Sequence, residues 1–338
     1  MTFLGMTRAG AVAALMALSV AVPLGAKAEE LKMTSFVPPM QLGWKHLEEW
    51  SKMIAEKSDG RLTFAHFPAG QMGPPPRRFD LVRTGAADIG FFLHGFTPGR
   101  FPLTEMALLP GTFESAEQGA YVMNTLAPEW LTKEHEGTKI LAIVTLPSLS
   151  IFTPGTPIKS LADMEGKRIR HPGAVVGDTL TNLGAVPVGV PAPEMNDALL
   201  KGVIDGLATA YEAVAVFNMT ETVDYALRTR IGSGVFGVVM NQETYDALDD
   251  DLKALIDEST GVPMARALSK AFSEAESTWA GKLAGQIEEL TLAPADAEVF
   301  DAALAASVEK QIEALVASGA PAREMREAIA ETAKSYMP

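Results

Sequence analysis

The sequence predicts an α/β protein of two lobes with a cleft between them and a helix-rich carboxy-terminal third. Three observations carry that expectation. Strand-like and helix-like segments alternate through residues 31–93 and again through residues 160–209, and that order implies right-handed crossovers and a mostly parallel sheet in each half. The chain has 338 residues, enough for two cores of ordinary size. From residue 248 onward it is rich in Ala, Leu, Glu and Lys, residues that favour helix.

The first 28 residues read as a leader. Arg8 is a basic start, residues 11–25 form an uncharged apolar run, and Ala26-Lys27-Ala28 fits the small-x-small cleavage pattern. The run is short for a bilayer, which needs about 20 apolar residues. Cleavage is expected after Ala28, giving a soluble protein exported to the periplasm.

The mature chain opens on a strand over 31–36. A helix follows, with Trp44, Leu47, Trp50 and Ile54 at helical spacing, closed by Ser58-Asp59-Gly60. Residues 61–67 are the next strand. The three prolines 74–76 open a second helix carrying Phe79 and Val82, and residues 87–93 form an apolar strand. A helix near 116–126 and strands over 139–145 and 149–153 come next. The second unit takes strand 168–171, helix 174–183, strand 186–190, helix 194–201 and strand 203–209. A helix over 212–217 and a strand over 234–240 precede the helical tail, in which Pro263 opens a new helix. The expected division assigns residues 29–147 and about 237–275 to domain I, and residues 148–236 and about 276–338 to domain II.

Charge and motif content narrow the function. The formal net charge is −14, a poor match to nucleic acid or an anionic membrane. Loss of the leader's Arg8 and Lys27 makes the chain more acidic still. There is no cysteine, which excludes disulfides and thiolate metal sites. The five histidines include no pair at i, i+4, and neither a metal nor a cofactor is expected. Gly232-Ser233-Gly234-Val235-Phe236-Gly237 has dinucleotide-loop spacing, but its glycines run into an apolar strand rather than a helix, so it is not read as a nucleotide site.

Arg168 and Arg170 are more informative. Arg170 stands at the carboxyl end of a strand that Pro172-Gly173 terminates, just ahead of a helix start. Both features favour an anion, and a guanidinium there can hold a carboxylate through two parallel hydrogen bonds. The local pattern alone leaves a structural arginine equally open.

The stretches PAGQMG and TGAADIG (68–90), TPGRFPLTE (97–105), SLADMEGKRIRHPG (160–173), LGAVPVGVPAPEMNDALLKGVIDG (183–206) and VVMNQETYDAL (238–248) extend over essentially the whole mature chain. On these stretches the chain resembles the DctP-type solute-binding subunits of tripartite ATP-independent periplasmic (TRAP) transporters. The resemblance implies a type II-like periplasmic binding protein of two domains, with long carboxy-terminal helices bracing both. It implies that the protein is a monomer and not an enzyme, that it delivers an organic acid to the small and large membrane subunits of a permease, and that Arg170 makes the bidentate contact to the ligand carboxylate. Two family contacts depart. A second arginine found in sugar-acid-binding members falls here at Ser150, and a frequent asparagine falls at Thr209, which can still donate one hydrogen bond. Both departures argue against a polyhydroxylated sugar acid.

Phe36, Phe92, Phe96, Tyr211 and Phe236 fall at or just beyond predicted strand ends, with His94 among them. With Arg170, Thr209 and Ser150 they form the expected ligand-binding set, suited to a compact monocarboxylate, aromatic or hydroxy acid. The alternative reading is a periplasmic enzyme on an organic acid, with Glu212 or His94 as base, or a sensor module for such an acid.

Overall fold

The computed structural model describes residues 28–338. The expected leader, apart from Ala28, lies outside the described residues. Among the described residues no helix is long and apolar enough to cross a membrane.

The first lobe is built on strands β1 (Glu29–Ser35), β2 (Leu62–Phe67), β3 (Ile89–Leu93), β4 (Thr138–Thr145) and β10 (Val235–Asn241), in the order β2-β1-β3-β10-β4. Helix α1 (Leu42–Lys57) covers it. The Gln41 side chain caps that helix by accepting from Trp44 N at 3.1 Å, and the stripe Trp44, Leu47, Trp50 and Ile54 is buried. Each such side chain contributes about 1.5–3 kcal/mol on leaving water. Helices α2 (Arg78–Arg83) and α3 (Ala116–Trp130) complete the lobe, α3 capped by Ser115.

The second lobe holds β5 (Ser150–Thr153), β6 (Arg168–His171), β7 (Val186–Gly189), β8 (Gly206–Thr209), β9 (Tyr225–Leu227) and β11 (Glu288–Leu290), in the order β11-β9-β5-β8-β6-β7. Helices α4 (Ala174–Asn182), α5 (Met195–Leu200) and α6 (Tyr211–Val216) connect its strands.

The sheets are less parallel than the element order suggests. Strand β10 is antiparallel to both β3 and β4, and β5 is antiparallel to both β8 and β9. Each is the first strand after the chain has crossed from the other lobe, so neither enters through the same-sheet crossover that enforces parallel pairing. The two crossing segments bond to each other: Leu146 N donates to Gly234 O and Leu149 N to Gly232 O, both at 2.9 Å. They form a paired hinge.

Helices α7 (Gln242–Ala247) and α8 (Asp250–Ser259) lead to α9 (Val262–Leu283), which has Pro263 in its first turn. Helix α9 packs on α1, α3 and β4 of the first lobe and on α6 of the second, so it spans both. Helix α10 (Pro294–Ala317) lies on α4, and α11 (Ala322–Ala333) returns to α3. We propose the domain division expected above with one change. Because Met325 and Ile329 are buried in one cluster with Val122 and Met123 of α3, α11 belongs with the first lobe.

Candidate functional site

A cavity of about 80 Å³ lies at the hinge, between the lobes. Its apolar walls include Phe36, Leu93 and Phe236 from the first lobe, Phe217 after α6, Leu146 from the hinge and Phe272 from α9. Phe236 stacks on Phe91 with ring centroids 4.3 Å apart, and Phe36 and Phe272 lie parallel to it at 6.0 and 5.9 Å. The polar lining is sparse: Gln41, Arg170, Thr209, Glu212 and Glu276.

Arg170 is only 2% exposed, on β6 between β7 and β8. Its Nε donates to Val190 O at 2.9 Å and its Nη1 to Ala208 O at 3.2 Å. These two carbonyls hold the plane from either side. Of the five N–H donors of a guanidinium, those left over sit on Nη1 and Nη2, the end-on fork that matches a carboxylate. Among the described residues no carboxylate pairs with Arg170, and burial lowers its pKa to about 9. The cavity thus contains a desolvated cation without a counter-ion. Arg168, two residues earlier, does something else. It is half exposed and grips Asp205 through Nε at 2.9 Å and Nη2 at 2.6 Å. That ion pair fastens β6 to the turn before β8.

Two buried acids also line the cavity. Glu212 is raised to about 7 by burial and by the neighbouring Glu276, against the opposing hydrogen bonds from Gln41 and Leu42 N. Burial likewise raises Glu276, which the backbone N–H groups of Tyr211 and Glu212 and the charge of Arg228 oppose.

The residues read from the sequence divide. Phe36, Arg170, Thr209 and Phe236 line the cavity. Ser150 does not: it is buried in β5 opposite Thr209, and its neighbour Leu149 lines the cavity instead. Phe96 packs edge-on against Phe36 at 5.2 Å and lines a separate, shallower depression with His171 and Pro172. Three further expectations are corrected. Phe92 points to the far side of the first sheet, into a cluster with Phe79 and Phe101. His94 is fully buried beside it, with Nδ1 3.1 Å from Val235 O and Nε2 3.0 Å from His135 Nε2. Tyr211 turns into the core of the second lobe, edge-on to Phe152 at 4.8 Å, and donates to Glu289. Side chains alternate across a strand and rotate around a helix, so closeness to a strand end does not decide which face an aromatic takes. Gln41, Phe217, Phe272 and Glu276 were not read as site residues. Phe272 and Glu276 are i, i+4 neighbours on α9, and that spacing in the sequence reads simply as a buried helix face.

Two lobes joined by a paired hinge, with a buried guanidinium in a largely apolar cleft, define the class of cleft-closing binding proteins for small organic acids. The chain belongs to the bacterial extracellular solute-binding protein family 7 (DctP), whose profile matches residues 33–314. Two solved structures are similar throughout. A TRAP solute-binding protein from Rhodoferax ferrireducens in complex with copurified benzoate is 27% identical, with TM-score 0.85, covering 91% of this chain and 99% of that one. A marine metagenome TRAP solute-binding protein specific for aromatic acid ligands, in complex with 3-hydroxybenzoate, is 28% identical, with TM-score 0.87, covering 92% and 100%. Among curated proteins, the C4-dicarboxylate-binding periplasmic protein DctP of Rhodobacter capsulatus is 24% identical over 72% of this chain and 75% of its own length. The matches to three other curated relatives span 57%, 61% and 63% of those proteins' lengths.

Proposed function

We propose that the protein captures a compact monocarboxylate, an aromatic or hydroxy acid, in the periplasm and delivers it to the small and large membrane subunits of a TRAP permease. The observation that carries this reading is Arg170, a guanidinium withdrawn from water, anchored on two carbonyls and lacking a carboxylate partner. A buried charge without a counter-ion is costly, and a ligand carboxylate supplies the missing charge. The walls argue for the rest of the ligand. Phe36, Phe236 and Phe272 offer flat apolar surface, and among the described residues the cavity wall contains no arginine besides Arg170. The likeness to proteins that hold benzoate and 3-hydroxybenzoate supports the same class.

Magnitudes agree with this division of labour. A micromolar dissociation constant corresponds to about −8 kcal/mol, while hydrogen bonds to a charged group supply about 1.5–3 kcal/mol each. Apolar burial must contribute the remainder, so an acid with a small apolar body binds best. Calorimetric titration with benzoate and hydroxybenzoates, C4-dicarboxylates and uronates tests the reading. Binding confined to the uronates or dicarboxylates overturns it.

A further inference from the structure

Arg170 accounts for one end of the ligand and leaves two acids in the cavity wall unexplained. Glu212, in α6, is 8% exposed, lines the cavity, and has an Oε1 that is shut off from solvent without a hydrogen-bond partner. Glu276, in α9, lines the same cavity and accepts from Glu212 N at 3.2 Å. The two carboxyl groups come from different elements, one connecting strands of the second lobe and one on the helix that spans both lobes. Neither forms an ion pair among the described residues. Glu276 has a local task at the start of α6, where it accepts from the backbone N–H groups of Tyr211 and Glu212, but Oε1 of Glu212 has no such partner, and a buried unpaired oxygen is costly.

Like charges exclude each other at short range, so the ligand carboxylate goes to Arg170 and is turned away from the acids. What the acids can receive is a hydrogen-bond donor. We propose that Glu212, backed by Glu276, is the specificity-determining acceptor for a hydroxyl group on the ligand, so that the cleft selects hydroxylated carboxylic acids over their unsubstituted counterparts. A ligand ammonium is the less suitable donor, since it would have to shed a full charge's hydration among Phe36, Phe217 and Phe272. A site built to bond a hydroxyl rejects the analogue that lacks it, because its own polar atom is then left unpaired. Burial raises Glu212 to about 7, in keeping with an acid that lacks a cation of its own and is open to a neutral partner.

This inference rests on the monocarboxylate reading above, and matched pairs of probes separate the two. The dissociation constants of benzoate, 3-hydroxybenzoate, phenylacetate and 3-hydroxyphenylacetate, together with phenylalanine, would be measured by calorimetry on the full mature chain and on Glu212→Gln and Glu212→Leu. The wild-type protein is expected to favour at least one hydroxylated acid over its parent by about tenfold or more. That ratio should shrink in Glu212→Gln and vanish in Glu212→Leu. Equal affinities within each pair in the wild-type protein overturn the inference and leave carboxylate capture standing, whether or not the variants fold. A preference that survives in Glu212→Leu, or phenylalanine binding more tightly than every hydroxy acid, also overturns it. Failure of the wild-type protein to bind any of these acids removes the monocarboxylate reading itself, and the inference with it.

Discussion

Gly95 and Gly173 meet backbone to backbone where the two lobes touch. A Cβ on Gly173 would lie 2.7 Å from Gly95 Cα, and one on Gly95 would lie 2.8 Å from Pro172 O. Gly95 follows β3 of the first lobe and Gly173 caps α4 of the second, so this contact exists only when the lobes are together. Gly173 has φ 175°, extended backbone open to any residue, and the restriction is purely one of space. Gly173→Ala is therefore expected to hold the lobes apart. Overpacking of this kind costs about 1–3 kcal/mol, which would weaken ligand binding roughly tenfold or more. Small-angle scattering with saturating ligand should show a more extended particle than wild type. Identical scattering and affinity would show that the two backbones part at no cost.

Arg168 and Arg170 should respond oppositely to truncation. Arg170→Ala would leave a ligand carboxylate unpaired in a closed cleft, a loss of about 3–5 kcal/mol, or roughly a hundredfold and more in affinity for benzoate. Arg168→Ala removes an ion pair with side chains 44% and 38% exposed, one that solvent screens, and should leave that affinity unchanged. Calorimetry on both variants checks the contrast, and equal losses would move the anion site away from Arg170.

Stability should fall as the medium becomes alkaline. Burial and the neighbouring Glu134 raise Glu105 from an ordinary value near 4.5 to about 8. Between those values the folded protein keeps a proton that the unfolded chain has released, so stability declines as pH rises towards 8 and is level above it. Buried His135, lowered from 6.5 to about 4, acts in the opposite sense: stability gained through it grows from pH 4 to 6.5. The window from pH 6.5 to 8 therefore isolates the buried acids. Glu105→Gln should flatten the decline there by about 1–2 kcal/mol, measured by thermal melts of the ligand-free protein at pH 6.5 and 8. Parallel slopes for variant and wild type would assign the decline elsewhere.

Phe236 joins the floor of the cavity to the core of the first lobe through its stack on Phe91. Phe236→Ala should cost about 3–5 kcal/mol in a urea melt and weaken benzoate binding in the fraction that stays folded. A loss below about 1 kcal/mol would mean that Phe272 and Phe36 collapse into the space.

Much of the architecture was legible in the sequence, because alternation of apolar strands with capped amphipathic helices is a local signal. The helix opened by Pro263 and the apolar strand into which the glycines at 232 and 234 run both follow from such patterns. Strands β9 and β11 did not, since three-residue strands carry too little alternation to register. The antiparallel setting of β5 and β10 depends on contacts far apart in the chain. In the site, Arg170 stood out because a strand end ahead of a helix start favours an anion, and the family resemblance, not the local pattern, separated it from a structural arginine. Phe272 and Glu276 were hidden for the converse reason: on a long amphipathic helix a cavity-facing residue and a core-facing residue have the same spacing. The aromatics at strand ends show the same limit, with Phe36 and Phe236 on the cavity and Phe92 and Tyr211 in the interior.

Among the described residues strand β4 pairs with β10 alone, and β10 is also what links it to β3. The first sheet therefore stays in two disconnected pieces until residue 241 is available. Synthesis of the amino-terminal half leaves β3 with an open edge and Phe91 without the ring it stacks on. The lobe that begins first is finished late, after every strand of the second lobe except β11 has been made. Order of synthesis and order of completion are decoupled in the first lobe.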